Sequence, residues 1–175
     1  MTPSRAGKEA AKGSKAAPGR RETAFERADR NMGELLQELR IALPGVQVLF
    51  AFLLTVPFAQ GFAQMTSEQV DLYFGVLLAT AVSTAFLIAP TALHRLLFRQ
   101  RDKEYLVALS NVLAIVGLLV LAVAITSAVL LIADFIFDGA KVTISTIAIG
   151  ALLLTLWVAF PLGRRLVLRR GGKLD

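Results

Sequence analysis

The sequence predicts an all-α membrane protein, with four transmembrane helices preceded by an amphipathic helix and a disordered basic N-terminal tail. Composition is the first reason: 55% of the 175 residues are hydrophobic, against about 45–50% in ordinary soluble domains, and the mean hydropathy is +0.63. Distribution is the second. Residues 41–63, 72–93, 105–133 and 142–163 contain no Asp, Glu, Lys, Arg or His, and each exceeds the roughly 20 residues with which a helix crosses a hydrocarbon core of about 30 Å. A soluble chain of this size could not wrap four such helices in a polar shell. Placement of charge is the third. Nine of the 19 Lys and Arg precede residue 41, none separates the first two stretches, four separate the second and third, Lys141 alone separates the third and fourth, and five follow residue 163. Loops rich in Lys and Arg stay in the cytoplasm. The split of 18 against 1 therefore demands an even number of crossings and puts both termini on the cytoplasmic side.

Taken in order, residues 1–21 carry six basic residues and one acid, Glu9, and 12 of the 21 are Ala, Gly, Ser or Pro. Such a segment cannot bury a core and is expected to be a disordered tail, either solvated or drawn to anionic headgroups. The first apolar run starts too far along the chain for a signal peptide. Thr23 and Glu26 make a capping box, in which hydroxyl and carboxylate satisfy backbone donors at a helix start, so residues 22–43 are expected to form the amphipathic interfacial helix. At about 100° per residue, Phe25, Ala28, Met32, Leu35, Leu36, Leu39 and Leu43 share an arc of roughly 100°, the width of one packing face. Residues 22–40 set five acids against three Arg, a poor match for anionic lipid, which favours docking on protein over a helix that floats at the membrane interface.

The transmembrane domain is expected over residues 44–163, with spans at about 44–63, 72–93, 105–133 and 142–163, and a basic cytoplasmic tail over 164–175. Pro44 and Gly45 should break the surface helix from span one, because proline disfavours helix in the residue before it. Pro57 should kink span one by leaving the carbonyl of Leu53 without its N–H. In span two, Ala79, Ala81, Ser83 and Ala85 leave room for another helix. Span three has 29 uncharged residues, about 43 Å of helix, and must tilt or protrude. Trp157 lies near the inner end of span four, where it can anchor at the interface.

The chain has no cysteine, which excludes disulfides, thiolate nucleophiles and Cys-ligated metal or iron–sulfur centres. The net charge of +6 is explained by topology, so no specific nucleic-acid partner is expected. No nucleophile–base pair converges, so no enzyme activity, cofactor or metal site is expected. His94 is the single histidine, which rules out a His-based metal cluster. Ionisable groups in mid-membrane mark ion pathways when they occur, and the four spans contain none. Gln47 and Asn111 are the most polar side chains within them and are expected to make interhelical contacts. Were the chain a transporter, its cation or proton groups would be Asp134, Asp71 and His94, all at span ends. The carboxylates Glu68, Asp71, Asp134 and Asp138 otherwise read as solvated loop ends.

Residues 21–54, RETAFERADRNMGELLQELRIALPGVQVLFAFLL, with IAPTALHRLLFRQRDK at 88–103, carry a resemblance. Its specific portions are Glu26–Arg27, Asp29–Arg30–Asn31, the segment 34–40, Gly45–Val46–Gln47, Ala89–Pro90 and His94–Arg95. Over residues 21–165 the chain resembles a family of small bacterial four-helix membrane proteins of unknown function, some members of which are labelled sodium:proton antiporters. The resemblance implies the four-helix topology and assigns no site residue. Two function classes stand side by side. One is a non-enzymatic, self-associating scaffold or interaction protein, whose partners are membrane lipid, copies of itself and a cytoplasmic protein. The other is a small monovalent cation/proton antiporter or ion transporter acting as an oligomer.

Overall fold

A computed structural model describes residues 23–97 and 103–170; the basic tail expected over 1–21 lies outside these residues. Four segments are long and apolar enough to cross a membrane, at Glu26–Phe58, Ser67–Leu97, Lys103–Ile136 and Ala140–Leu168. The helices are α1 (Ala24–Thr55), α2 (Ser67–Leu97), α3 (Lys103–Ile136), α4 (Ala140–Leu154) and α5 (Phe160–Arg170).

Helix α1 opens on the capping box. The Glu26 N–H donates to Thr23 Oγ1 at 3.2 Å and the Thr23 N–H to Glu26 Oε2 at 2.9 Å, so two donors at the helix start are satisfied reciprocally. The break expected at Pro44–Gly45 is not there: α1 runs unbroken from Ala24 to Thr55 with Pro44 inside it. The reason lies in the packing stripe. Met32, Leu39, Val46 and Leu53 are buried and Leu35, Leu43 and Leu49 partly buried, a spacing of three and four residues that continues through Pro44 in one register. One seam on both sides of the proline holds the helix together, and the proline itself faces outward. Residues 24–43 are thus the first part of one helix that continues to Thr55 through an apolar segment long enough to cross a membrane.

Pro57 ends the helix instead of kinking it. Val56–Phe58 and Gln60–Gln64 are short 3-10 turns, so the first crossing stops near residue 58 and not at residue 63. A second capping box, which the sequence reading passed over, starts α2: the Gln69 N–H donates to Thr66 Oγ1 at 3.2 Å and the Thr66 N–H to Gln69 Oε1 at 3.1 Å.

Helix α2 buries Tyr73, Val76, Thr80, Ser83, Leu87 and Pro90, and α3 buries Leu106, Ser110, Ala114, Gly117, Leu121, Ala124 and Leu131 among others. Both seams step by threes and fours, the spacing of left-handed, coiled-coil-like packing. Hydrocarbon supplies no hydrophobic drive between helices, so their association rests on close contact and interhelical hydrogen bonds. Gly117 and Ser83 provide both: Ser83 Oγ donates to the Gly117 carbonyl at 2.8 Å across the α2–α3 seam. Of the small residues expected to admit a neighbour, only Ser83 is buried; Ala79 and Ala81 are half-buried and Ala85 is exposed. Helix seams, not smallness alone, decide which of them meet protein.

Helices α1, α2 and α3 pack on one another, whereas α4 packs on α3 alone and buries no residue. The expected four-helix bundle is therefore a three-helix core with a peripheral fourth helix. The π-helical turn Thr155–Ala159 joins α4 to α5. Pro161 lacks an N–H and its ring crowds the carbonyl four residues back, that of Trp157, which widens the turn before it. Trp157 is exposed on that turn. Helix α3 is longer than the third charge-free stretch: it extends back to Lys103, 34 residues in all, or about 51 Å.

Candidate functional site

The chain ends of α1, α2 and α3 that carry Arg27, Arg95 and Lys103 meet at one end of the bundle, here the basic end. Lys103 Nζ donates to both carboxylate oxygens of Asp29, at 2.6 and 2.7 Å. The Lys103 side chain is only 17% exposed and that of Asp29 51%. A lysine at the start of α3 thereby ties down the first turns of α1. His94, from α2, lines with them a cavity of about 10 Å³, room for about one water molecule. Asp29 and His94 belong to two of the stretches that carry the family resemblance, 65 positions apart in sequence, and the fold places them on one cavity wall.

Beside this cavity a wider groove of about 480 Å³ runs between α1 and α3. Arg27, Asn31, Glu34, Glu38, Glu104 and Asn111 supply its polar lining, and Leu35, Val107 and Ala108 its apolar floor. Glu34 is paired with Arg30 on its own helix at 3.1 Å. Glu38 and Glu104 have no ion-pair partner among the described residues. Glu38 of α1 and Glu104 of α3 are thus two carboxylates available in a groove that opens sideways. A further groove, of about 430 Å³, lies between α1, α3 and α4 near the opposite end; Leu49, Ile125, Val129 and Ile132 make it apolar, and Ser145 is its polar residue.

The residues singled out from sequence are distributed as follows. Asn111 lines the α1–α3 groove, but Gln47 is exposed on α1 and outside it, so the fold does not bring the two together. Among the described residues neither makes a side-chain hydrogen bond. Asp134 and Asp71 are exposed at the end opposite the basic one, and Asp134 Oδ2 accepts from Gln69 Nε2 at 2.9 Å. His94 lies 23 residues along α2 from Asp71, about 34 Å of helix. The three titratable candidates therefore do not form one site. On the packing face, Met32 and Leu39 are buried and Leu35, Leu36 and Leu43 half-buried, with Leu35, Leu39 and Leu43 in contact with the core around Leu87 and Leu121. The Phe25 side chain lies outside the described residues. Among the described residues no three of His, Cys, Asp or Glu gather so as to hold a metal ion.

Of three buried residues with polar side chains, Ser83 is expected from the sequence as a small residue at a helix contact and Ser110 is one of the polar groups within span three, whereas nothing in the sequence marks Tyr73. Tyr73 Oη donates to the Leu53 carbonyl at 2.9 Å, the carbonyl that Pro57 cannot serve. Ser83 bridges α2 to α3, and Ser110 Oγ is buried without a hydrogen-bond partner among the described residues. Tyr73 and Ser83 lie on the α2 seam with Val76, Thr80, Leu87 and Pro90, and Ser110 on the α3 seam.

Residues 21–161 match DUF6328, a family of unknown function. The chain belongs to this family. No curated protein and no solved structure matches it. The matched region holds the three-helix core, α4 and the π-helical turn, together with both basic-end sites. It ends at Pro161, before the arginines of α5.

Proposed function

We propose that this member of the family is a non-enzymatic, multi-pass inner-membrane protein that associates with copies of itself and offers its basic end to a cytoplasmic protein. The observation that carries the reading is the position of the fourth helix. A helix that crosses the membrane while touching one neighbour and burying no residue leaves most of its circumference without a protein partner, and helices in lipid associate through close packing of such faces. The antiporter reading has less support, because Asp134 and Asp71 lie at the end opposite His94 and residues 72–93 and 105–133 contain no Asp, Glu, Lys, Arg or His.

Mass measurement of the purified protein in mild detergent is expected to give two or more copies per particle; a monomer at all concentrations overturns the reading. Orientation follows from the charge split. A reporter active only in the cytoplasm should work when fused after Asp175, and one active only outside should work after Ser67 or Gly139. External activity at the C-terminus would reverse the assignment of the basic end.

A further inference from the structure

The fourth helix brings arginines to the depth of the carboxylate groove without touching it. A Cβ built on Gly150 of α4 would lie 3.3 Å from Thr126 Cγ2 of α3, which fixes the antiparallel register of the two helices. Fifteen residues further in the matching directions stand Arg165 on α5 and Asn111 on α3, both about 22 Å from that contact at 1.5 Å per residue. Asn111 lines the groove that also holds Glu38 and Glu104. Yet α5 packs against neither α1 nor α3, and both Arg164 and Arg165 are exposed.

We propose that Arg164 and Arg165 of one copy dock into the α1–α3 groove of a second copy, against Glu38. This rests on the self-association reading and names its interface. Charge complementarity is the first argument. Glu38 lies close to the depth of Asn111 and so of Arg165, Glu104 lies seven residues or about 10 Å nearer the basic end, neither carboxylate and neither guanidinium group has an ion-pair partner among the described residues, and a guanidinium can pair a carboxylate through two parallel hydrogen bonds. Near the hydrocarbon edge, where unpaired charge is costly, such pairing is favoured. Shape is the second. The outward side of the fourth span carries Ala148, Ala151, Thr155 and Ala159, all exposed, and small side chains let another helix come close. Beyond the π-helical turn at Thr155–Ala159, α5 makes no contact with its own α3.

The absence of cysteine from the chain makes the test clean. Glu38→Cys and Arg165→Cys, placed on two differently tagged copies and expressed together, are treated in membranes with a short bis-maleimide that spans an arginine–glutamate pair. The expected product carries both tags, at several times the yield obtained when Gln60→Cys, at the opposite end, replaces Glu38→Cys. In addition, Glu38→Arg and Arg165→Glu should each weaken dimerisation about tenfold, and the two together should restore it. Both positions are exposed, so folding is not at stake. Linkage only within a single chain carrying both cysteines would show α5 folding onto its own groove and overturn the proposal. A dimer by mass without linkage between tags would overturn it too, leaving self-association through another surface. A monomer by mass would remove both readings.

Discussion

Gly117→Leu is expected to destabilise the helical core by about 3 kcal/mol, the upper part of the usual range for overpacking. A Cβ at this position would lie 2.9 Å from both Cγ and Cδ2 of Leu87 and 3.1 Å from Phe86 Cβ. Leu87 is fully buried and cannot swing aside, and Phe86 Cβ moves only with its backbone. Separation of α2 from α3 would also stretch the 2.8 Å bond from Ser83 Oγ to the Gly117 carbonyl. Unfolding of the detergent-solubilised protein by increasing fractions of SDS reads the loss directly. Gly75→Leu, where an added side chain meets open space, should change the midpoint by less than about 0.5 kcal/mol. Leu87→Ala combined with Gly117→Leu should recover part of the loss, because the volume removed on α2 accommodates what is added on α3. An unchanged midpoint for Gly117→Leu alone would mean that α2 and α3 do not meet along this seam.

Tyr73→Ala should cost about 3 kcal/mol, near the low end for removal of a buried aromatic ring, since in lipid the packing term acts with little help from transfer out of water. The ring is 5% exposed, packs with Leu53, Val76 and Leu131, and meets Phe62 edge-on with centroids 5.6 Å apart at 79°. Tyr73→Phe keeps the ring and isolates the hydroxyl; about 1 kcal/mol is expected, the scale of interhelical hydrogen bonds in membranes. That hydroxyl serves the Leu53 carbonyl, which also accepts from the Val56 N–H but gets nothing from Pro57. Pro57→Ala restores a donor at that position, so Tyr73→Phe should cost less in the Pro57→Ala background than in the native chain. Equal costs in the two backgrounds, measured by the same SDS titration, would break the link between the proline and the tyrosine.

The sequence by itself determined the elements that depend on neighbours a few residues away. Thr23 and Glu26 specify where α1 begins, because a capping box is completed within one helical turn. Four charge-free stretches specify four apolar helices, because each span must satisfy its own backbone in lipid. Tertiary structure alone decided which faces meet. Apolar residues surround these helices on all sides, so hydropathy does not separate a face against protein from one against lipid; Leu87 is fully buried while Ile88 beside it is exposed. The packing seam carried α1 through Pro44, where local preference calls for a break. Only the assembled bundle set Lys103 against Asp29, Tyr73 against the carbonyl left by Pro57, and Asn111 apart from Gln47. It also left the fourth helix outside the core, since contacts between helices depend on shape matched across long sequence separations, which no single helix records.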